Sequence, residues 1–498
     1  MNRNHDTTTL NWDTVFAVPI TVVNKAIKDT GSSPRNFQLQ TSSGSSCKGS
    51  FKDWQINSGG DGSNIRMKIP IYDFKGVIID EDAGMNTRGS FTYADMIVQV
   101  KLNYLPHDEP SKDSNIKLLD LKVRSKSDDP IDPAIVGISL NNVENLHYEA
   151  NTKWDINPFI DIEDIIKNAF MELTVKWLTE NLSLFNHIFN VVNLNLYIDD
   201  DEQWSWCKPS YVDYAYTDVA GDLDKSLLGV LCMTGGREGT INQQRALDPY
   251  AIPKNSQSAF LIAEERLLRE VILPTLPMKF KDSKIEDYEV INATGESGQY
   301  QYILRLKRDK RIKLDRIKAN GAMYDPYMTE MSISLFNNTL KMEATTETSI
   351  GMGGSVGCST TNWYNLALGK NNKGEQIIVY EETQTPVETH YVIKEGDDWI
   401  WDVIAIIIGL IAEAVLAVFT SGASLLIGSV VIVILTGTLA KTSDFIEHWN
   451  FDTSPSIDMM LENSTSQIVW NSSDIFNLDH VALAGPLQLG GTLDVTNA

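Results

Sequence analysis

The densest run of like charge in the sequence is Arg305, Lys307, Arg308, Lys310, Arg311, Lys313, Arg316 and Lys318, eight cations within 14 residues interrupted by Asp309 and Asp315. On a hairpin turning near Asp309, Arg305 and Lys307 would share one face, while Ile312 and Leu314 would alternate with Arg311 and Lys313. Such a ribbon suits an anionic head group, since a cation near a charged membrane surface contributes about 1 kcal/mol. Arg305, Lys307, Arg308, Lys310, Arg311 and Lys313 are therefore the candidates for head-group contact. The competing use is neutralisation by the protein's own acidic surface or by an acidic partner.

Catalytic patterns are weaker. Gly353-Gly354-Ser355-Val356-Gly357 matches the form of a nucleophile elbow, but that turn needs a buried strand before the serine and a helix after it. Neither Glu347-Thr348-Ser349 nor Cys358-Ser359-Thr360-Thr361 supplies that context, so a glycine-rich loop is expected. The seven histidines are scattered singly, and the four cysteines form no C-x-x-C pair, so neither a metal ligand set nor a redox motif is expected. The acidic run Asp199 to Glu202 lacks the glycine and distal glutamate of a calcium loop. The sequence predicts neither a catalytic site nor a cofactor.

With 66 acidic against 42 basic side chains, the net charge is -24, which repels a polyanion over most of the surface and argues against nucleic acid as a partner. One segment breaks the pattern. No side chain is charged between Ala414 and Ala440, and extension back to Val403 adds only Glu413. That is long enough to span a bilayer, either as two helices divided at Thr420 to Ser424 or as one helix kinked at Gly422. Glu413 at the middle of the first half would cost roughly 2.5–3.5 kcal/mol on insertion scales. The alternatives are a helix enclosed by sheet, a segment, 403–440, that inserts conditionally into membranes or forms a pore, and a constitutive transmembrane anchor. Trp399, Trp401, Val403, Glu413, Leu416, Phe419 and Leu425 are the candidates for lipid or membrane contact in each case.

The elements that must position these residues follow from periodicity. Val15 to Ile27 reads as an amphipathic helix, with a start at Pro19 as an option, and the Ser/Gly/Thr-rich stretch from Gly31 to Ser50 reads as a mobile loop. Alternation from Phe51 to about Glu149 predicts antiparallel strands with one wet face, including Met96 to Tyr104 and Leu119 to Val123. Asp161 then opens a helix of roughly 25 residues whose apolar stripe runs from Ile162 towards Phe189. The stretch from Asp199 to Pro253 reads as a partly structured connection. A second helix capped by Ser256 or Ser258 runs through Ile272 to Pro274; strands follow at Tyr300 to Leu306, Met331 to Leu335 and Leu340 to Ala344, then the apolar segment. The order of helix, strands and long helix thus occurs twice, in an α+β chain divided as 1–200, a connecting 201–255, and 256–498 with the apolar helical segment 399–441.

Trp12-Asp13-Thr14-Val15-Phe16-Ala17, Val23-Asn24-Lys25, Trp54, and Gly59-Gly60-Asp61-Gly62-Ser63-Asn64-Ile65-Arg66-Met67-Lys68-Ile69-Pro70 resemble the clostridial OrfX and P-forty-seven proteins. The motifs cover about the first 70 residues, and beyond them the resemblance rests on element order and the late apolar segment. It implies a tubular lipid-binding (TULIP) fold of two modules, each a long helix wrapped by a highly curved antiparallel sheet. It also implies a non-enzymatic accessory protein of a botulinum-type neurotoxin gene cluster, and hence a role in virulence. The partners implied are other OrfX-family proteins, the small first OrfX protein among them, components of the neurotoxin complex, and a lipid or phosphoinositide. No signal peptide is visible in Met1 to Thr9, so cytosolic synthesis and release with the cluster's products are expected.

Overall fold

The computed structural model describes residues 7–80, 85–106, 118–123, 133–152, 161–182, 190–193, 206, 209–280, 282–294, 300–314, 316–319, 322–336, 338–351, 354–370, 376–384, 387–392, 468–470 and 475–494. The chain opens with strand β1 (Thr14–Pro19), which passes directly into helix α1 (Ile20–Thr30). Pro19 is the N-cap in extended conformation, where a missing N–H costs nothing, and Gly31 ends the helix at φ 60. The helix expected from Val15 thus begins later, and Val15 to Val18 are strand residues buried on both faces.

Then follow β2 (Asn36–Gln40), β3 (Ser46–Phe51), β4 (Gln55–Asp61), β5 (Asn64–Asp80), β6 (Met85–Pro106), β7 (Leu118–Val123), β8 (Ile135–Glu144) and β9 (His147–Thr152). Helix α2 (Ile162–Glu180) and β10 (Asn190–Asn193) complete this stretch. The supposed mobile loop is the β2–β3 hairpin: Phe37, Leu39, Cys47 and Phe51 alternate inward between the Ser, Gly and Gln residues that suggested a loop. These nine strands, with a tenth from late in the chain, form a ten-stranded antiparallel sheet with the order β2-β3-β5-β6-β7-β10, and β4, β8 and β9 pair onto its long strands. One strand, β6, pairs with β9, β8 and β7 in turn along its length.

Helix α2 lies on the inner face. Asp161 caps it by accepting from the Glu163 N–H at 2.9 Å, and Asn181 is its C-cap, so the helix ends before the Phe189 limit read from the apolar stripe. Its Phe170 ring is seated on Gly76 and Gly89, which face each other across β5 and β6; a Cβ on either glycine would stand 2.6–2.8 Å from that ring. Glycine is required here for close approach.

The expected connection contributes β11 (Pro209–Thr217) and β12 (Leu227–Thr234), and the expected second helix begins instead with β13 (Ser258–Ile262). Ala259 to Ile262 are all at most 1% exposed, because both faces of this strand are covered. A short run that is apolar on every side does not distinguish strand from helix by period. Helical turns follow as α3 (Glu264–Arg266), a π-helical turn over Leu267–Ile272, a 3-10 turn over Leu273–Thr275 and α4 (Leu276–Lys279).

The remaining strands are β14 (Tyr288–Thr294), β15 (Tyr300–Leu306), β16 (Ile312–Lys313), β17 (Ile317–Ala319), β18 (Ala322–Tyr324), β19 (Pro326–Phe336), β20 (Thr339–Gly351), β21 (Gly354–Lys370), β22 (Gln376–Glu382) and β23 (Val387–Val392), then β24 (Ile468–Trp470), β25 (Ile475–Leu483) and β26 (Leu487–Asp494). An eight-stranded sheet runs β14-β15-β19-β20-β21-β22, with β16 on β19 and β23 on β21, while β24 returns to the first sheet beside β10.

Between the two large sheets lies a six-stranded one, β11-β12-β1-β13-β26-β25. Its arrangement is pseudo-symmetric. The central strands β1 and β13 are antiparallel with Phe16 opposite Phe260, each runs almost at once into helix, and each is flanked outward by a later hairpin. One face joins the main hydrophobic core; the other packs Val15, Ala17, Leu231, Ala259 and Leu261 under Trp12, Leu247 and Ala251.

Candidate functional site

The basic segment does not form the expected hairpin. Strands β15 and β16 both pair with β19, Ile303–Arg305 opposite Ser332–Ser334 and Ile312–Lys313 opposite Tyr327–Met328. The chain therefore continues along one neighbour with a turn at Lys307 to Lys310. Leu304, Leu306 and Ile312 are all buried, and folding back at Asp309 would take Ile312 off its neighbour Met328.

Most of the cations already have anions. Arg305 sits opposite Glu289 and makes two hydrogen bonds to one of its carboxylate oxygens, at 2.7 and 2.9 Å. Lys310 pairs with Asp287 at 3.1 Å, Arg311 with Glu347 at 3.6 Å and Lys313 with Asp325 at 3.0 Å. Lys307 donates to the Glu286 carbonyl at 2.6 Å, and Arg308 is exposed without an ion pair among the described residues. The Arg316 and Lys313 side chains hold the Asp325 carboxyl well below the usual carboxylate range, and Asp287 is lowered by the Lys284 backbone amide and by Lys310.

Ser355 lies inside β21 opposite Ser349, an extended ladder position that lacks the strand-to-helix turn of a nucleophile elbow. Cys47 and Cys232 are buried, and desolvation pushes both thiols up to about 12, which makes them poor nucleophiles. Trp399, Trp401, Val403, Glu413, Leu416, Phe419 and Leu425 lie outside the described residues, as do Asp199 to Asp201. Among the described residues no helix is long and apolar enough to cross a membrane, and no group of three or more His, Cys, Asp or Glu side chains could hold a metal ion.

What the sequence motifs build is a charged junction that residue patterns alone did not reveal. Asp13, 3% exposed, accepts from the Thr234 N–H at 2.8 Å, the Thr234 hydroxyl at 3.2 Å and Arg237 Nε at 2.9 Å, with a second Arg237 contact to its other oxygen. Arg266, 4% exposed, lies 4.0 Å from the same carboxylate, pairs with Glu270 at 2.9 Å and stacks over Trp206. Gly235, at φ 61, makes the room that Arg266 needs, since a Cβ there would stand 2.9 Å from its guanidinium. A buried carboxylate saturated by donors cannot serve as a general base; it ties β1 to β12 and to the turn after β13.

The glycine motif serves a neighbouring joint. Gly62 and Tyr216 exchange backbone hydrogen bonds at 3.0 and 2.8 Å, and the Tyr214 hydroxyl donates to the Ser63 carbonyl at 2.7 Å. Gly60 has the Tyr216 ring where a Cβ would be, 2.8 Å away. The β4–β5 hairpin is thereby fastened to the edge of the central sheet.

The model of the OrfX-like family, described as Protein OrfX2/OrfX3/P47, matches residues 9–491. The chain belongs to the OrfX2/OrfX3/P47 family. It is 65% identical over 497 residues to Protein OrfX3 of Paraclostridium bifermentans, covering 99% of this chain and 100% of that one. It is 49% identical over 497 residues to Protein OrfX3 of Clostridium botulinum (strain Kyoto / Type A2), with 99% of each covered. The fold is that of P47 from Clostridium botulinum A2, with a TM-score of 0.63 at 18% identity over 98% of this chain and 99% of that one. In this member of the family, then, Trp12-Asp13-Thr14 and Gly59 to Ile65 are structural joints between sheets.

Proposed function

We propose that this chain is a non-enzymatic accessory protein of a botulinum-type neurotoxin gene cluster, built as two TULIP-like modules joined by the central sheet and acting through protein partners. The full-length relationship to OrfX3 proteins carries this reading. The pseudo-symmetric central sheet supports the two-module description, with each half sending its strand into helix and then into a large antiparallel sheet. Engagement of Arg305, Lys310, Arg311 and Lys313 by the chain's own carboxylates weighs against a head-group ribbon there and in favour of protein contact elsewhere.

The surface to test is the loop that covers the outer face of the central sheet. Ile241 is fully exposed at its tip, and exposed Tyr250 follows on the same covering segment. The tip is held in place by bonds from Thr240 to Gln243 and from Gln243 to the Asn11 carbonyl. Ile241 and Tyr250 are the exposed large apolar side chains of this covering segment, which makes it the place to look for a partner contact. Co-expression of the tagged chain with the small first OrfX protein should give a complex that survives gel filtration, and Ile241→Asp should weaken it without lowering thermal stability. Separate elution of the two proteins would refute the pairing.

A second reading, an amphipathic ligand held inside the second large sheet, is favoured by one observation: the buried Thr348 and Thr360 hydroxyls and both polar atoms of the Asn362 side chain have no hydrogen-bond partner among the described residues. Native mass spectrometry of the protein from its producing cell, before and after solvent extraction, tests it. A single mass unchanged by extraction would sink it.

A further inference from the structure

The two halves of the central sheet hand over to helix in different ways. Strand β1 enters α1, an uninterrupted α-helix of 11 residues. Strand β13 enters α3, the π-helical turn over Leu267–Ile272, a 3-10 turn and α4, so three helical geometries succeed one another between Glu264 and Lys279. A 3-10 stretch within a helical run is a common mark of a hinge, and a π turn of a functional position. Pro274 and Pro277 withhold two further N–H donors from this stretch.

The side chains that tie each handover to its neighbouring strands also differ. In the first half the Asn24 amide accepts from the Ile56 N–H at 2.6 Å and donates to the Ile56 carbonyl at 2.9 Å, a neutral tie that cannot titrate. In the second half the Glu264 carboxyl accepts from the backbone N–H groups of Tyr302 on β15 and Leu335 on β19. The β15–β19 ladder runs Arg305 opposite Ser332, Leu304 opposite Ile333 and Ile303 opposite Ser334, so Tyr302 and Leu335 would form the next pair. The ladder stops before them, and the Glu264 carboxyl takes the amides that would have continued it.

No cation balances this carboxyl. Its Oε1 is buried without a hydrogen-bond partner, and it makes no ion pair among the described residues. On its own turns Glu265 pairs with Arg237 and Arg269, and Arg266 with Glu270. On β15 Arg305 pairs with Glu289, and on β20 Lys341, opposite Ser334, pairs with Glu343 at 3.0 Å. Tyr302 and the exposed Glu330 add no positive charge from β15 and β19. Burial without a counter-ion disfavours the charged form and raises the carboxyl to about 7.

We propose that Glu264 is a pH-operated latch between the central sheet and the second large sheet. As the neutral acid it stays between β15 and β19 and holds the π-helical turn against them; as the carboxylate it is drawn to water and the turn swings free. The closed latch binds a proton that the released one gives up, so closure is complete below about 4.5 and weakens as pH rises to about 7.

Hydrogen exchange of the full chain at pH 5 and pH 8, read by mass spectrometry with labelling times scaled to the intrinsic exchange rate, tests the latch. Peptides covering Glu264 to Lys279 and Tyr300 to Leu306 should open at least about tenfold more readily at pH 8, while α1, tied by Asn24, should not change. Glu264→Gln keeps an accepting oxygen for the two amides but cannot ionise, so the same peptides should stay protected at both pH values. Glu265→Gln removes the neighbouring carboxylate and should leave the pH response intact. Equal protection of the native chain at pH 5 and pH 8 overturns the latch whatever the variants do. So does a response that persists in Glu264→Gln, that disappears in Glu265→Gln, or that α1 shares, since the last would report loosening of the whole chain.

Discussion

The two large sheets have the same antiparallel construction and opposite interiors. Inside the first, six aromatic side chains lock together around α2: Phe37 on Phe51 at 4.4 Å, Phe74 on Phe91 at 4.5 Å, Phe170 on Phe74 at 4.9 Å, and Trp177 within 5.8 Å of both Phe37 and Phe51. Inside the second, the inward row of β20 and β21 begins apolar with Leu340, Met342, Val356 and Cys358, but it also carries Thr346, Thr348, Thr360 and Asn362 at 0–3% exposure. Among the described residues both interiors hold a buried polar atom without a hydrogen-bond partner, the Thr87 hydroxyl in the first and the Thr348 and Thr360 hydroxyls with both polar atoms of Asn362 in the second, so the second carries more of them. Close packing contributes stability wherever rings fit, whereas an orphaned hydroxyl or amide costs roughly 1–3 kcal/mol. The difference makes ring packing the main determinant of the first interior and leaves most of the unpartnered polar atoms in the second.

The test with the largest expected effect is Phe170→Ala. It removes the ring that sits on Gly76 and Gly89, a place that no side chain of either strand can fill. A loss of about 3–5 kcal/mol is expected, read from the urea midpoint at constant slope. A loss below about 1 kcal/mol would mean that α2 does not close the first interior.

At the entrance to the second sheet, Glu264 follows β13. Burial raises its carboxyl to about 7, against the opposing pull of the Tyr302 and Leu335 backbone amides. The folded state then holds a proton that the unfolded state has released, so this group's contribution to stability is complete below about 4.5 and is lost as pH rises to about 7. Glu264→Gln should match the native chain at pH 4 and exceed it by roughly 2 kcal/mol at pH 8. Parallel stability curves across that range would show that Glu264 is solvated, and the contrast between entrance and interior would disappear.

Thr360→Val sharpens the contrast by its sign. In a well-packed apolar interior this exchange would gain little, but at a hydroxyl without a partner among the described residues it should stabilise the protein by about 1 kcal/mol in thermal unfolding. Destabilisation of that size would mean instead that the Thr360 hydroxyl is bonded.

The legibility of the sequence followed the same division. The first sheet was readable because its long strands alternate: Met96, Val98, Val100 and Leu102 face inward, and Asp161 caps α2 as its residue type suggests. The second-half strands at Tyr300, Met331 and Leu340 were readable for the same reason. The central sheet was not, because β1, β12 and β13 are covered on both faces and their continuous apolar runs carry no period of two. That loss concealed β11 and β12 within a presumed connection. The β2–β3 hairpin was missed because Ser, Gly and Gln dominate its outward positions. Of the candidate sites, the basic segment was visible in sequence but its neutralisation was not, since Glu289, Asp325 and Glu347 meet it only through the register of β14, β19 and β20.

The smallest expected effect lies on the outer surface of the second sheet, where it separates surface electrostatics from the interior. Arg305 and Glu289 are directly opposed across β14 and β15, and their side chains are 29% and 34% exposed. A cross-strand pair so accessible to water and salt contributes about 0.2–1 kcal/mol. Arg305→Ala should therefore lower stability by less than about 1 kcal/mol, and the difference should shrink as salt rises and the Debye length shortens. A loss of about 3 kcal/mol, insensitive to salt, would be the signature of a desolvated pair. The second sheet would then be held by its outer charges as firmly as the first is held by its inner rings, and its unmatched interior polar atoms would no longer mark the weaker of the two structures.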